Sequence, residues 1–562
     1  MQVTQAVIIH TIQDADHYLE QQLFKDAELF SFNVQVVTYL KHQHNVICHD
    51  LCSYISSEEV LDIQRNTLQA TSELLAELDY QVAPALNREL GLSMRYFTPL
   101  YSYVGARQLS IYDIAVRCLQ RMIDQYSPSF ILVYEGTLGP LNQSINISFL
   151  DKMLPGVKFR TIQYKQAAES RKKTVISGIY IEKIAPLLEK DAIINTKSDK
   201  KNVVVFESAG KLQFLLQQSP DKANIHELNY RKPLYYPIEY KISGRILPLE
   251  NNLQSIRTAD KDRQNILMLL YAIISDNFCR DIIQHLRLVQ TYRNIHNQSP
   301  IHNAYWDIPP YQGAGALVLE YLMSNLVTQV IGAQSQGTFF AGQTSSPYVD
   351  VAIKSRCHRW LPLIVRSVST VAPKALAKNA SVKIAADVAI YLTPTSFFTK
   401  GGQNLSALVS RQEALLSFLE THHTKVVHVV ASNHLTFKNC AMLSFLKTLT
   451  NVTLIQDAKM DNYLTKYAPK LILFDSPMPF LEDVLPEELS VILMKDPMIT
   501  FSDEAITLLM ERVYYAGEVE EAKQFLQKHF KGNLAKKQDG AYVHKFCSQA
   551  VLQEKILQEI SS

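Results

Sequence analysis

Net charge is nearly missing from this chain. Its 562 residues carry 56 Lys and Arg against 54 Asp and Glu, a formal +2. That balance argues against a general nucleic-acid binder, which needs an extended basic face. Cysteine is sparse: seven residues, at 48, 52, 118, 279, 357, 440 and 547. An odd, dispersed set argues against a disulfide framework and fits a reducing cytoplasm. Long apolar runs are absent. No stretch approaches the roughly 18 to 20 residues that span a bilayer. The most apolar long segment, Ile266 to Ile274, is flanked by Asp260-Lys-Asp-Arg263 and Asp276 and is expected to be a buried helix. Peripheral contact with the inner membrane is compatible with this. Met1 to His10 lacks a positive n-region and is expected to be a first strand, not a signal peptide. There is no Gly-x-Ser-x-Gly elbow, no Gly-x-Gly-x-x-Gly fingerprint and no phosphate-loop ending, so covalent hydrolase and nicotinamide dehydrogenase chemistries lose ground. Internal repeats and low-complexity tracts are missing too.

What is present is alternation. Residues 382 to 531 contain six short β-type runs: Ala386–Leu392, Val426–Ala431, Val452–Gln456, Leu471–Phe474, Val491–Met494 and Val513–Tyr515. Polar turns and helical spacing separate them. This pattern predicts a parallel sheet with helices on both faces. The first 150 residues read as α/β as well. Strands are expected at Val3–Ile9, Val46–Cys48 and Phe130–Tyr134, and helices at Ala15–Lys25, Ser57–Leu78 and Leu109–Tyr126. Ser56 or Ser57 would cap the second helix, with Glu58 and Glu59 in its first turn. Further strands are expected at Val157–Tyr164, Thr174–Ile181 and Val203–Phe206. A helix should run from Thr258 to about Tyr292, and a Gly- and Pro-bearing region from His302 to Tyr348. A boundary near 370, at Ala372-Pro373-Lys374, divides an N-terminal α/β domain with helical insertions (1–370) from a C-terminal Rossmann-like domain (371–545). A last helix closes the chain at 546–562.

Open parallel sheets bind ligands at the carboxyl ends of their strands, so candidate site residues are sought there. In Leu471-Ile-Leu-Phe-Asp-Ser-Pro-Met-Pro-Phe-Leu-Glu482, Ser476 can cap the next helix and Pro477 or Pro479 suits its first turn. The free N–H groups of that turn form an anion site fit for a diphosphate; the alternative is a well-capped βα unit. Ser432, His434 and Thr436 follow the second strand of the same domain. Lys400, in Thr393-Pro-Thr-Ser-Phe-Phe-Thr-Lys-Gly-Gly402, could pair with phosphate charge. The turn Gly332-Ala-Gln-Ser-Gln-Gly337-Thr338 is glycine-bearing and hydroxyl-rich, and Lys354, Arg356, His358 and Arg359 form a basic run nearby in sequence. Glu135, at the end of strand 130–134 before Gly-Thr-Leu-Gly-Pro140, is the general-base candidate, because a strand-end carboxylate can be partly desolvated. Asp14, Asp16 and His49 compete with it. Cys48-His49-Asp50-Leu51-Cys52 has no second ligand pair, so a zinc site is not expected.

These segments resemble bacterial surface-carbohydrate biosynthesis proteins, of the capsule and lipopolysaccharide type, with a GT-B-like glycosyltransferase fold. The resemblance lies in Tyr467-Ala-Pro-Lys-Leu-Ile-Leu-Phe-Asp-Ser-Pro-Met-Pro-Phe-Leu-Glu-Asp-Val-Leu485, in Asp496-Pro-Met-Ile-Thr-Phe-Ser-Asp-Glu-Ala505 with Val513-Tyr-Tyr-Ala-Gly-Glu-Val-Glu520, and in Gln334-Ser-Gln-Gly337. The last is similar to a Gln-His-Gly turn, with Ser-Gln where the His would stand. The resemblance implies two Rossmann-like domains facing across a cleft, with donor nucleotide on the C-terminal side and acceptor on the N-terminal side. It implies donor roles for Ser476, Glu482 and His434. It implies a nucleotide sugar as substrate, a glycan or lipid-linked acceptor, and no bound cofactor or metal. A nucleotide-sugar epimerase on the same fold and a non-catalytic scaffold of a glycan-assembly complex remain alternatives.

Overall fold

The structure is a computed structural model. It describes residues 5–21, 27–134, 150–163 except 152, 201–206, 223–228, 286–306 except 287 and 299, 313–326, 329–333, 342–344, 359–361, 386–393, 405–431, 440–456, 460–477, 489–496, 499–537 except 502, and 541. Within them lie three parallel sheets and one short antiparallel ribbon.

The N-terminal unit runs β1 (Gln5–Ile8), α1 (Ile12–Gln21), β2 (Glu28–Ser31), α2 (Val34–His44), β3 (His49–Asp50), a 3-10 turn (Leu51–Tyr54), α3 (Ser57–Leu90), α4 (Phe97–Tyr126), β4 (Phe130–Tyr134) and β5 (Lys158–Ile162). Its strands lie in the order β3-β2-β1-β4-β5, all parallel. β4 coincides with its expected run. One segment departs from expectation, and another carried none. The strand expected at Val46–Cys48 lies one step later, at His49–Asp50. The stretch Val-Gln-Val-Val-Thr-Tyr-Leu, strand-like in composition, is the helix α2. Asn33 starts it, its side chain accepting from Gln35 N at 3.1 Å. Val36 and Leu40 enter the N-terminal core while Val34 enters the C-terminal one. Burial in two cores outweighs the modest cost of β-branched residues in a helix.

α3 begins on the capping box formed by Ser56 and Glu59 and ends on Gly91, at φ 61. It extends well past Leu78, through Pro84, because α4 lies beside it and Asp79 binds that helix's start. The pair α3–α4 forms the connection from β3 to β4.

The middle unit contains β6 (Lys201–Phe206), β7 (Ala223–Leu228), β8 (Ile301–Trp306), α5 (Gly313–Asn325), β9 (Gln329–Ala333), β10 (Gly342–Thr344) and β11 (Arg359–Leu361). Its sheet order is β11-β9-β8-β6-β7, again parallel. Residues 1–370 thus hold two parallel sheets. The Gly- and Pro-bearing region expected at 302–348 contains a buried helix, α5, whose Leu317, Val318 and Leu322 are fully buried. It lies against the α3–α4 corner, where Arg95 forms an ion pair with Glu320 at 2.8 Å.

The C-terminal unit runs β12 (Val388–Tyr391), α6 (Leu405–Glu420), β13 (Val427–Val430), α7 (Leu443–Leu446), β14 (Val452–Ile455), α8 (Met460–Tyr467), β15 (Leu471–Phe474), β16 (Ser490–Met494), β17 (Ile499–Phe501), α9 (Asp503–Arg512), β18 (Tyr514–Ala516) and α10 (Val519–Phe530). The sheet order is β14-β13-β12-β15-β16-β18, all parallel, and each of its strands falls on one of the six expected runs. β17 pairs antiparallel with β10 instead. Alternate residues feed two cores. Val388, Ile390, Val427, Val429, Leu471 and Leu473 enter one; Ala389, Tyr391, Val430, Ile472 and Phe474 enter the other. A sheet buried on both faces needs continuous apolar runs in place of strict alternation, and that is why these six runs stand out in the sequence. The chain is an α/β protein whose five-stranded N-terminal and six-stranded C-terminal parallel sheets have the form of two Rossmann-like domains. No helix among the described residues is long and apolar enough to cross a membrane.

Candidate functional site

In a doubly wound sheet the chain winds outward from a central strand in one direction and then in the other. The crevice forms where the direction reverses. Strand order places this reversal between β12 and β15 in the C-terminal sheet, and between β1 and β4 in the N-terminal one. The described residues just beyond those strands are Thr393, Asp475 and Ser476 on one sheet, and His10 on the other.

At the C-terminal reversal the side chains converge. Asp475 is fully buried. Its carboxylate accepts from Thr393 N at 3.1 Å to each oxygen, from Thr393 Oγ1 and from Gln412 Nε2. These bonds tie the end of β15 to the end of β12 and to α6. Burial pushes the Asp475 carboxyl up from the ordinary carboxylate range, against hydrogen bonds from Thr393 and Gln412 that pull it down. Ser476 is also fully buried, and its hydroxyl donates to Asp496 Oδ2 at 3.4 Å. Asp496 follows β16. Arg411 Nη2 lies 3.8 Å from the same carboxylate oxygen, while Arg411 Nη1 donates to Lys495 O at 2.7 Å. Pro477, the residue after Ser476, has a helical backbone. The ends of three adjacent strands, β12, β15 and β16, are thereby fixed to one another and to α6. Among the described residues this strand edge carries the Arg411 guanidinium and the Asp475 and Asp496 carboxyl groups.

At the N-terminal reversal the groups are more dispersed. Thr11 and Asp14 cap α1 reciprocally: Asp14 N donates to Thr11 Oγ1 at 3.0 Å, and Thr11 N to Asp14 Oδ2 at 2.8 Å. His10 N adds a third bond to that oxygen at 3.3 Å. Asp14 therefore stands at the carboxyl edge of β1 as the carboxylate of a helix start. Asp16 accepts from Tyr39 OH at 2.7 Å. Tyr134, the last residue of β4, places its hydroxyl 3.2 Å from His17 Nδ1. His49 lies on the edge strand β3, with Nε2 3.0 Å from Glu28 Oε2 and Nδ1 3.4 Å from Tyr126 OH. β2 separates His49 from β1 and Asp14, a span of roughly 10 Å at ordinary strand spacing.

Of the candidate donor and base residues singled out in the sequence, Asp14, Asp16, His49 and Ser476 lie in described structure. Glu135, Lys400, His434, Gly337, Thr338 and Glu482 lie outside the described residues. Thr393, Gln412, Arg411 and Asp496 were not singled out as site residues. Thr393 could have been found as the first polar residue after one expected strand, and Asp496 as the second, after Lys495, beyond another. Arg411 and Gln412 sit inside an amphipathic helix, where no local signal marks them. Among the described residues, no group of three or more His, Cys, Asp or Glu is arranged to hold a metal ion.

No protein-family model and no curated protein matches the chain. Solved structures similar to it include the UDP-GlcNAc 2-epimerase of Neisseria meningitidis bound to UDP-GlcNAc, at 11% identity over 64% of this chain and 99% of that one, with a TM-score of 0.35. Another is the UDP-GlcNAc 2-epimerase of Methanocaldococcus jannaschii, at 12% identity over 64% and 99%, with a TM-score of 0.35. A third is the glycosyltransferase SnogD of Streptomyces nogalater, at 12% identity over 65% and 96%, with a TM-score of 0.29. At these scores the likeness carries no argument about activity.

Proposed function

We propose that the chain is a nucleotide-sugar glycosyltransferase of surface-polysaccharide assembly, binding its donor at the C-terminal reversal and its acceptor at the N-terminal one. One observation carries this reading. Three adjacent strand ends of the C-terminal sheet meet at the topological reversal in a polar cluster, Thr393–Asp475–Ser476–Asp496–Arg411, on a sheet paired in the same chain with a second doubly wound sheet. In this reading the N–H groups of Met478 and Phe480, after Ser476, would meet the diphosphate, since Pro477 and Pro479 have none to give. Lys400, His434, Gly337 and Thr338 would line the donor, and Glu482 would meet its ribose or sugar. In the reaction an acceptor hydroxyl oxygen attacks the anomeric carbon. The bond from that carbon to the phosphate oxygen breaks, the nucleoside diphosphate departs with the electron pair, and Glu135 takes the hydroxyl proton. Asp14 and His49 are the next candidates for the base.

Calorimetric titration with a panel of nucleotides and nucleotide sugars, followed by transfer assays on glycan and lipid-linked acceptors, tests this. Glu135→Gln should keep donor affinity and lose about 10²- to 10⁴-fold in turnover, the usual contribution of a general base. Failure of every nucleotide to bind sinks the reading. A second reading has its own support: the Ser476 hydroxyl and the Asp475 carboxylate are both engaged within the protein. A self-satisfied cluster suits a non-catalytic scaffold of a glycan-assembly complex, and nucleotide-free behaviour in the same titration would favour it.

A further inference from the structure

The N-terminal and C-terminal sheets are joined through α2. Val34, at its start, belongs to the C-terminal core. One turn later, Thr38 Oγ1 donates to Ala441 O at 2.6 Å, across a buried contact. Another turn on, Lys41 Nζ meets Glu413 of α6 at 2.5 Å, and His42 Nε2 lies 3.6 Å from the same carboxylate oxygen. The His42 ring rests on Phe445 of α7, with centroids 4.5 Å apart. Gln43 Nε2 donates to Ser444 O at 3.1 Å. Positions 34, 38, 41 and 42 follow helical spacing, so they present one face of α2 along its length. A second attachment lies apart from this one. Asp50, which caps the 3-10 turn, accepts from Ser406 in the first turn of α6.

Domains in one chain ordinarily move relative to one another unless their interface is large and apolar, and hinge closure turns on a few residues that absorb the change. A contact at one point permits rotation. Here α6 is held near its start by Asp50 and near its middle by Lys41, while the segment at α7 is held at Ala441 and Ser444. The attachments come from two separate elements, α2 and the 3-10 turn capped by Asp50, so a rotation about α2 would have to break the bond from Ser406 to Asp50. We propose that α2 and Asp50 form a clamp that makes the N-terminal and C-terminal sheets one rigid body, so that a ligand enters without the two sheets rocking apart. This does not rest on the glycosyltransferase reading.

The test is a distance measurement on the full chain. Spin labels attached through azide-bearing residues introduced at Ile47 and Met510, which are 77% and 49% exposed, leave the native cysteines untouched. Pulsed dipolar spectroscopy should give one narrow distance, unchanged by saturating UDP. Replacing Thr38, Lys41 and Gln43 together by Ala should broaden it or add a second distance. A broad or two-peaked distribution in the unmodified chain overturns the clamp, whether or not UDP binds. So does a shift on adding UDP, with occupancy checked by calorimetry. So does an unchanged narrow distance in a triple variant that circular dichroism shows to be folded. Should the triple variant not fold, Ser406→Ala takes its place under the same criterion.

Discussion

Replacing Asp79 should undo the corner between α3 and α4. Asp79 lies within α3, and its buried carboxylate accepts three backbone N–H groups at the start of the next helix: Tyr96 at 2.7 Å, Phe97 at 2.8 Å and Thr98 at 2.9 Å. Tyr96, the residue preceding α4, provides no side-chain cap of its own. A helix start needs such acceptors because its first N–H groups have no partner within the helix. Losing an ordinary cap costs about 1 kcal/mol. Here two of the bonds are buried, and each buried donor left alone costs about 1–3 kcal/mol. Asp79→Ala should therefore destabilise this region by roughly 3–5 kcal/mol. Asp79→Asn keeps one acceptor oxygen and should lose about half of that. Hydrogen exchange at residues 96–98, combined with urea unfolding, reads both effects. Asp62→Ala serves as the control, since Asp62 forms only an exposed pair with Arg65 and should change stability by less than about 0.5 kcal/mol. If Asp79→Ala falls within about 1 kcal/mol of the parent and exchange at 96–98 is unaltered, the three bonds do not hold the corner.

Gly91→Ala should cost about 1 kcal/mol by thermal unfolding. Its φ of +61 disfavours a side chain, while the space is adequate, the nearest atom to an added Cβ being Arg293 Nη2 at 3.5 Å; Gly91→Asn should be milder, and equal stability of the two would contradict this. Ser56→Ala should remove one half of the capping box at α3 and cost about 1 kcal/mol, read as a lowered urea midpoint. Asp475 gives a pH prediction. Its folded pKa is raised by burial, so its contribution is fully present below the unfolded value of about 4 and is lost as pH rises through the folded value. The stability difference between wild type and Asp475→Asn should change in that direction across the window, and a flat difference would contradict it. Glu59 behaves oppositely. Arg121 and the Ser56 N–H hold it down at about 2, so its contribution is present above about 4.3 and is lost as pH falls through the folded value. Glu59→Gln should flatten acid unfolding in that range.

The legibility of the sequence followed burial. The C-terminal sheet could be read because its strands are buried on both faces, so six apolar runs appear with polar breaks between them. β2 and α2 could not. Glu28-Leu-Phe-Ser31 is short and begins with an acid, and α2 has the composition of a strand. Its helical state is decided by Asn33 before it and by two cores around it, one of them supplied by residues nearly four hundred positions away. β17 was missed because Ile499-Thr-Phe501 gains its partner from β10 of the middle unit. The candidate site divides in the same way. Ser476 was visible as the polar residue after a strand. Its engagement with Asp496, and the role of Gln412 beneath Asp475, depend on contacts 20 and 63 residues away in sequence, which no local pattern encodes.

The bond from Thr38 to Ala441 has a consequence for synthesis. The two residues are 403 positions apart. At a translation rate of about 5–20 residues per second, α2 would wait on the order of 20–80 seconds for its partner to be made. During that time Val34, Thr38 and His42 face solvent or the chaperones of the cell. The N-terminal sheet must therefore emerge from the ribosome with an unfinished surface, and fragments ending before α7 should bind holdase chaperones more strongly than the complete chain.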